Sequence, residues 1–244
     1  MGKDRHRRRD QEAPLSSYKS DQPDRAFFGR RKGKQLTNTR GGLLDRLLPL
    51  FRVPLSNNLN PKDLFSVPVT SLALEIGFGG GEHLLHQARL NPQTGFIGCE
   101  PFINGMAKML AAIEKENIKN IRVFDSDAVD LLKALAPSTF DRIFILYPDP
   151  WPKRRQNKRR FISDLTVTLL AKVLKPTGEL RFATDIDHYA GWTLAHLFRS
   201  RDFLWTAEGP GEWRKPWVNW IETRYEAKAR REGRSSSYLT FTRV

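Results

Sequence analysis

From Leu72 onward, apolar runs of strand length alternate with longer stretches of helical periodicity, and this alternation restricts the possible fold more than any other feature of the chain. Strands separated by helices can share a sheet only through crossovers, so the pattern implies βαβ units and a mostly parallel, doubly wound sheet. Residues 72–76, 96–99, 121–124, 140–146 and 179–184 read as buried strands, and 203–207 and 238–242 as two final ones. Helices are expected over 82–90, 103–116, 128–135 and 161–174, the last closed by Pro176 and Gly178. Upstream, the apolar segment 43–53 is short and broken by Pro49 and Pro54. No internal repeat is visible.

The first 24 residues, MGKDRHRRRDQEAPLSSYKSDQPD, hold almost nothing apolar and cannot offset the entropy of ordering, so they read as a disordered arm. Residues 25–60 form a basic and apolar extension whose Phe27, Phe28 and Leu36 can dock on the body or on a ligand. Residues 61–244 form the main domain. The net charge of +14 is concentrated: residues 1–40 carry 12 basic and 5 acidic side chains, and residues 151–160, WPKRRQNKRR, carry 6 basic and none acidic. A second basic stretch covers 224–234. Basic segments on a near-neutral body imply a polyanionic partner, because clustered Lys and Arg neutralise phosphates and release counterions. No apolar run approaches the length of a bilayer span, and the one cysteine, Cys99, cannot form an internal disulfide or a cysteine-built metal site. A soluble, cytoplasmic protein without a metal is expected, as a monomer or a homodimer.

The segment Leu74-Glu75-Ile76-Gly77-Phe78-Gly79-Gly80-Gly81 puts glycines directly after a strand and before a helix. Such a turn lets the backbone approach a ligand closely. A dinucleotide fingerprint starting at Gly77 needs glycine at position 82, where this chain has Glu82. The acidic Glu75 at the strand end would repel a pyrophosphate but attract an ammonium group. Glu100 closes the second strand, about 20 residues after the glycines, where a carboxylate can accept both hydroxyls of a ribose. Asp127, followed by small Ala128, closes the third strand, and Asp149 the fourth. Each alone is more often a helix cap or a turn residue. Together they converge on the crevice at the carboxyl ends of a parallel sheet.

These residues resemble the class I S-adenosylmethionine-dependent methyltransferases. That resemblance implies a Rossmann-like, seven-stranded sheet with an antiparallel last strand, and S-adenosylmethionine as cofactor. By matching position it implies that Glu75, Gly77, Gly79 and Gly81 hold the methionine part, Glu100 the ribose, and Asp127 with Ala128 the adenine.

The stiff loop Pro148-Asp149-Pro150-Trp151, followed by Pro152 to Arg160, offers a carboxylate to a base, an aromatic ring for stacking, and cations for a nucleic-acid backbone. Together with Ala183-Thr184-Asp185 and Thr223-Arg224-Tyr225-Glu226, it is similar to the tRNA (guanine-N7-)-methyltransferases of the bacterial TrmB type, which modify a guanine in the tRNA variable loop. The similarity runs from about Arg25 to the C-terminus. It implies that Asp149 is the catalytic-site carboxylate, also beside the cofactor. It further implies that Lys153, Asp185 and Thr223, Arg224, Tyr225 and Glu226 meet the substrate, and that Asn157, Lys158, Arg159 and Arg160 meet RNA. Gln156 stands where the family often carries His, and residues 235–237 are all serine where another His is usual. Rival readings are an exocyclic-amine methyltransferase, whose Asp/Asn-Pro-Pro-aromatic loop has the proline and aromatic exchanged, and an inactive RNA-binding module on the same fold. His83 and His86 read as helix surface or packing residues. Trp205, Trp213, Trp217 and Trp220 read mostly as core or lid packing, with Gly209-Pro210-Gly211 opening a loop that carries some of them.

Overall fold

The computed structural model describes residues 26–56 and 60–244, and the arm expected over residues 1–24 lies outside them. Strands β1 (Ser71–Ile76), β2 (Thr94–Cys99), β3 (Ile121–Phe124), β4 (Phe140–Leu146), β5 (Leu174–Thr184), β6 (Phe203–Trp205) and β7 (Ser237–Arg243) form one sheet. Their order across it is β3-β2-β1-β4-β5-β7-β6. Neighbours from β3 to β5 pair in parallel, whereas β7 runs antiparallel to both β5 and β6. The order reverses between β1 and β4, which opens a crevice at the carboxyl ends of these strands.

Side chains of a strand alternate between faces. In β1, Leu72, Leu74 and Ile76 join one apolar cluster while Ala73 joins the other, so both faces of the sheet are covered. The first cluster takes Leu131 from α4 (Ala128–Ala134), Leu170 from α5 (Asp164–Val173) and Leu197 from α6 (Asp187–Arg199). The second takes Leu47 from α1 (Asn38–Phe51), Leu84 from α2 (Glu82–Leu90) and Leu110 from α3 (Ile103–Glu116). Each such side chain contributes about 1.5–3 kcal/mol on burial, which outweighs the few tenths that separate local propensities.

Three expectations change. Pro49 does not break its segment: α1 continues to Phe51, with Arg52 N donating to Leu48 O at 2.8 Å. The proline removes one hydrogen bond, while Leu44 and Leu47 are anchored in the second cluster. Helix α5 starts at Asp164 instead of 161, because Ser163 and Thr166 form a reciprocal cap: Thr166 N donates to Ser163 Oγ at 3.2 Å, and Ser163 N to Thr166 Oγ1 at 2.9 Å. Its C-terminus passes directly into β5 at Leu174, so Pro176 and Gly178 lie inside the strand, next to a register shift between Phe140 and Arg142. Finally, Gly209-Pro210-Gly211 opens the short helix α7 (Pro210–Trp213), followed by α8 (Arg224–Arg231). Among the described residues no helix is long and apolar enough to cross a membrane.

Candidate active site

The crevice at the strand ends holds a cavity of about 330 Å³. Gly77, Gly79, Glu100, Asp127, Ala128 and Asp149 line it, as the sequence suggested, and so do Arg159, Arg224 and Tyr225. Its base is the turn between β1 and α2, where Gly77, Gly79 and Gly81 have φ of +77°, +55° and +81°. Only glycine adopts such angles without strain. Helix α3 presses on this turn so closely that a Cβ on Gly105 would lie 2.2 Å from Gly79 O.

Glu100 joins the turn to α3. Its Oε2 accepts Gly79 N at 2.6 Å and its Oε1 accepts Phe102 N at 2.9 Å, which leaves lone pairs on both oxygens. Burial raises the Glu100 carboxyl above the usual glutamate range, and the negative charge of Asp149 adds to that rise against the two backbone bonds and Arg224. Asp149 itself stands at the rim of the cavity, where loss of water raises its carboxyl as well. Two carboxylates whose charge is disfavoured by burial are relieved by a cation held near both.

The loop that carries Asp149 is bounded by Tyr147 and Trp151, with φ of +51° and +42°, a region that costs non-glycine residues energy. Its neighbours hold it there. Tyr147 N donates to Ala183 O at 2.8 Å, and Arg160 Nε donates to Pro150 O at 2.9 Å. The Arg159 guanidinium covers the Trp151 ring at 4.9 Å, and Phe28 meets the same ring edge-on at 6.5 Å.

A strap from Ala26 to Lys34 closes one side of the cavity with Phe27, Phe28 and Gly29. Ala26 N and Phe27 N donate to Asp127 Oδ2 at 2.9 and 2.8 Å, while Asp127 Oδ1 caps α4 by accepting Val129 N at 2.9 Å. Further along, Gly33 N donates to Asn104 Oδ1 at 2.8 Å and Asn104 Nδ2 donates to Lys34 O at 2.8 Å. The aromatic pair in a polar run was the one sign of this in the sequence. Its landing place was not legible, because the partners lie 70 to 101 residues away along the chain.

Other expected residues take different places. Glu75 does not line the cavity: it lies on the α2 face of β1, 3% exposed, with Oε2 2.6 Å from His83 Nδ1. An ammonium group in the cavity therefore does not meet its carboxylate directly. Gly81 also lies off the cavity, where its φ allows the start of α2 against Met109. Arg160, expected on the RNA-facing run, is 2% exposed; Nη2 donates to His188 Nδ1 at 2.9 Å, and the guanidinium covers the rings of Tyr189 and Trp192 at 4.9 and 5.2 Å. It therefore presents no surface to a phosphate. Lys153, expected at the substrate, and Lys158, expected at the RNA, are both exposed, and Asn157 is half-buried. Asp185 lines a neighbouring crevice with Arg214 and Arg234, and its Oδ2 accepts Arg234 Nε at 2.7 Å.

Thr223 is the N-cap of α8, with its hydroxyl accepting Glu226 N at 3.2 Å, so this side chain serves the helix. Arg224 and Tyr225, the first residues of that helix, rest on the glycine turn: a Cβ on Gly79 would lie 3.2 Å from Arg224 Nη2 and 3.4 Å from the Tyr225 ring. The carboxylate of Glu226 accepts Trp220 Nε1 at 2.7 Å and also the Tyr238 hydroxyl, and does not line the cavity. His83 is a buried packing residue, as its helix position suggested, whereas His86 Nε2 meets Asn219 O at 3.1 Å. Trp205 and Trp213 pack near Phe241, and Trp217 and Trp220 pack on Tyr238.

Residues 69–239 match a family model described as "Putative methyltransferase". A tRNA (guanine-N(7)-)-methyltransferase of Agrobacterium fabrum is 53% identical over 221 residues, which cover 89% of this chain and 95% of the relative. One of Rhizobium meliloti is 53% identical over 222 residues, covering 90% and 95%. Among solved structures, the 16S rRNA methyltransferase KamB has 18% identity and a TM-score of 0.49 over 72% of this chain and 88% of that one.

Proposed function

This chain belongs to the tRNA (guanine-N(7)-)-methyltransferase family, and from that premise we propose that it transfers a methyl group from S-adenosylmethionine to N7 of a guanine in the tRNA variable loop. The observation that carries the cofactor reading is the pair Glu100 and Asp149, two carboxyls raised by burial that line one cavity beside a glycine turn. A cationic ligand offsets the cost of burying those carboxylates, and S-adenosylmethionine is a cation. The cavity of about 330 Å³ also suits a ligand of that size. Gly77 and Gly79 offer a wall free of side chains, the open lone pairs of Glu100 suit ribose hydroxyls, and Asp127 and Ala128 flank the place left for the base.

When bound, S-adenosylmethionine supplies a methyl group on a positively charged sulfur. Guanine N7 has a lone pair and no proton, so the site needs no general base. What remains for the protein is orientation, and stabilisation of the positive charge that develops on the purine ring. Asp149, at the cavity rim on a loop held from several sides, is the group suited to both. Trp151 and Arg159 extend that rim, and the exposed Lys153, Arg154, Arg155 and Lys158 offer cations to the backbone of an RNA bringing its guanine there.

The test is incubation of the protein with labelled S-adenosylmethionine and bulk tRNA, followed by nucleoside analysis and mapping of the label. Label in N7-methylguanosine of the variable loop is expected. Label on an exocyclic amine, or at another position, overturns the reading.

A further inference from the structure

Helix α6 starts two residues after Asp185 and meets, along one face, the segment that returns from the Asp149 loop to α5. The contacts recur at helical spacing. His188 Nδ1 accepts Arg160 Nη2 at 2.9 Å, Trp192 Nε1 donates to Ile162 O at 2.7 Å, and His196 Nδ1 lies 2.7 Å from Asp164 Oδ1. Among them stands Tyr189, which is fully buried, with Phe182 of β5 edge-on to its ring at 5.3 Å. Its hydroxyl accepts Phe161 N at 3.0 Å, and its ring carries the Arg160 guanidinium at 4.9 Å. Phe161 lines the cavity. Arg160 Nε in turn donates at 2.9 Å to the carbonyl of Pro150, the residue directly after Asp149. One buried side chain thus reaches the loop at its return, through the Phe161 backbone, and beside its carboxylate, through Arg160.

We propose that Tyr189 is a positioning residue for the methyl transfer, which holds the Asp149 carboxylate in place through Phe161 and Arg160. This deepens the proposed function and rests on it. The hydroxyl argues for the role. Phenylalanine would fill the same space against Phe182, whereas a buried hydroxyl is unfavourable unless it is hydrogen-bonded, and this one is bonded to the backbone of the returning loop. Burial pushes the hydroxyl well above the usual tyrosine range, and the negative charge of Asp149 adds to that rise against the Ile162 and Phe161 amides and Arg160. It therefore stays protonated, and Asp149 lies within its electrostatic reach. His188 and Trp192 hold the same segment at other points, so loss of the hydroxyl alone loosens the loop without releasing it.

Single-turnover methylation at saturating tRNA and S-adenosylmethionine, tRNA KM and affinity for S-adenosylhomocysteine would be measured for Tyr189→Phe, Asp149→Asn and the pair, at a temperature where each is folded by circular dichroism. Tyr189→Phe is expected to slow methylation at least about fivefold, with tRNA KM and S-adenosylhomocysteine affinity within about twofold of the parent. In the Asp149→Asn background the same change should cost less than about twofold, because the hydroxyl acts through that carboxylate. Arg160→Lys, which keeps a cation on the Tyr189 ring but loses the bond to Pro150 O, should show the same split. A Tyr189→Phe rate within about twofold of the parent, a cost that multiplies in the pair, or a raised tRNA KM at an unchanged rate would overturn the assignment. Amide exchange checks the geometry independently of catalysis: the Phe161 amide should exchange at least about tenfold faster in Tyr189→Phe, while the amides of β1 keep the parent's rates. Protection of Phe161 equal to the parent's would remove the link whatever nucleoside is methylated, and the parent's own product reports separately on the functional reading.

Discussion

At the scale of single residues, environment separates side chains of the same type. Glu75, Glu100, Asp127 and Asp149 all lie at or just after strand ends, yet Glu75 is paired behind the turn, Asp127 lines the cavity while it caps a helix and binds the strap, and Glu100, with one backbone bond on each oxygen, lines the cavity together with Asp149 at its rim. Glu100→Ala should therefore weaken S-adenosylhomocysteine at least about tenfold by calorimetry, since a charged hydrogen bond contributes about 1.5–3 kcal/mol. Asp149 carries a pH signature. Its folded-state pKa is raised by loss of water, so its contribution to stability is full below the unfolded value of about 3.9 and is lost as pH rises through the raised value. Asp149→Asn should then leave the melting temperature at pH 7 equal to or above the parent's, while single-turnover methylation falls at least about tenfold. The parent's rate should fall on acidification at a pH above the ordinary aspartate range, and that limb should be missing from the Asn variant.

At the scale of elements, the Asp149 loop depends on what packs around it. Arg160→Ala removes the partner of Pro150 O and the cation between Tyr189 and Trp192, which should cost about 2–4 kcal/mol in chemical denaturation. Lysine cannot reproduce the two directed bonds, so Arg160→Lys should recover little of that stability. Because the guanidinium is buried, neither change should alter the salt dependence of tRNA binding. The strap is the second such element. Phe28→Ala removes cavity wall and the edge contact to Trp151, and stopped-flow measurement should show S-adenosylhomocysteine leaving severalfold faster. An unchanged off-rate would mean that the strap does not close on the cofactor.

At the scale of the whole molecule, charge is laid out beside the site: exposed cations of 153–158 follow directly on the Asp149 loop, and α8 places further basic residues beyond Arg224. Replacing Lys153, Arg154, Arg155 and Lys158 together with alanine should raise tRNA KM and lower the salt slope of binding by roughly three units, at about 0.7–0.9 for each phosphate no longer neutralised. Methylation at saturating tRNA should persist. A loss of the chemical step with an unchanged slope would place those cations in the reaction instead of on the RNA backbone.

What the sequence determined by itself is what local chemistry can carry. Strand and helix periods identified the parallel sheet, the spacing of Gly77, Gly79 and Gly81 required a left-handed turn, and carboxylates after strands located the crevice, because a strand's end and its side-chain alternation follow from its own residues. Pro49 shows the limit even there, since its penalty was read locally and two leucines packed on a distant helix outweighed it. Only the tertiary structure decided which of the matched residues face the cavity. Arg160 is indistinguishable from Lys158 in a basic run until Pro150, Tyr189 and Trp192 surround it. Side-chain type states what a group can bond to, whereas its partner depends on which distant segments the fold brings within about 3 Å.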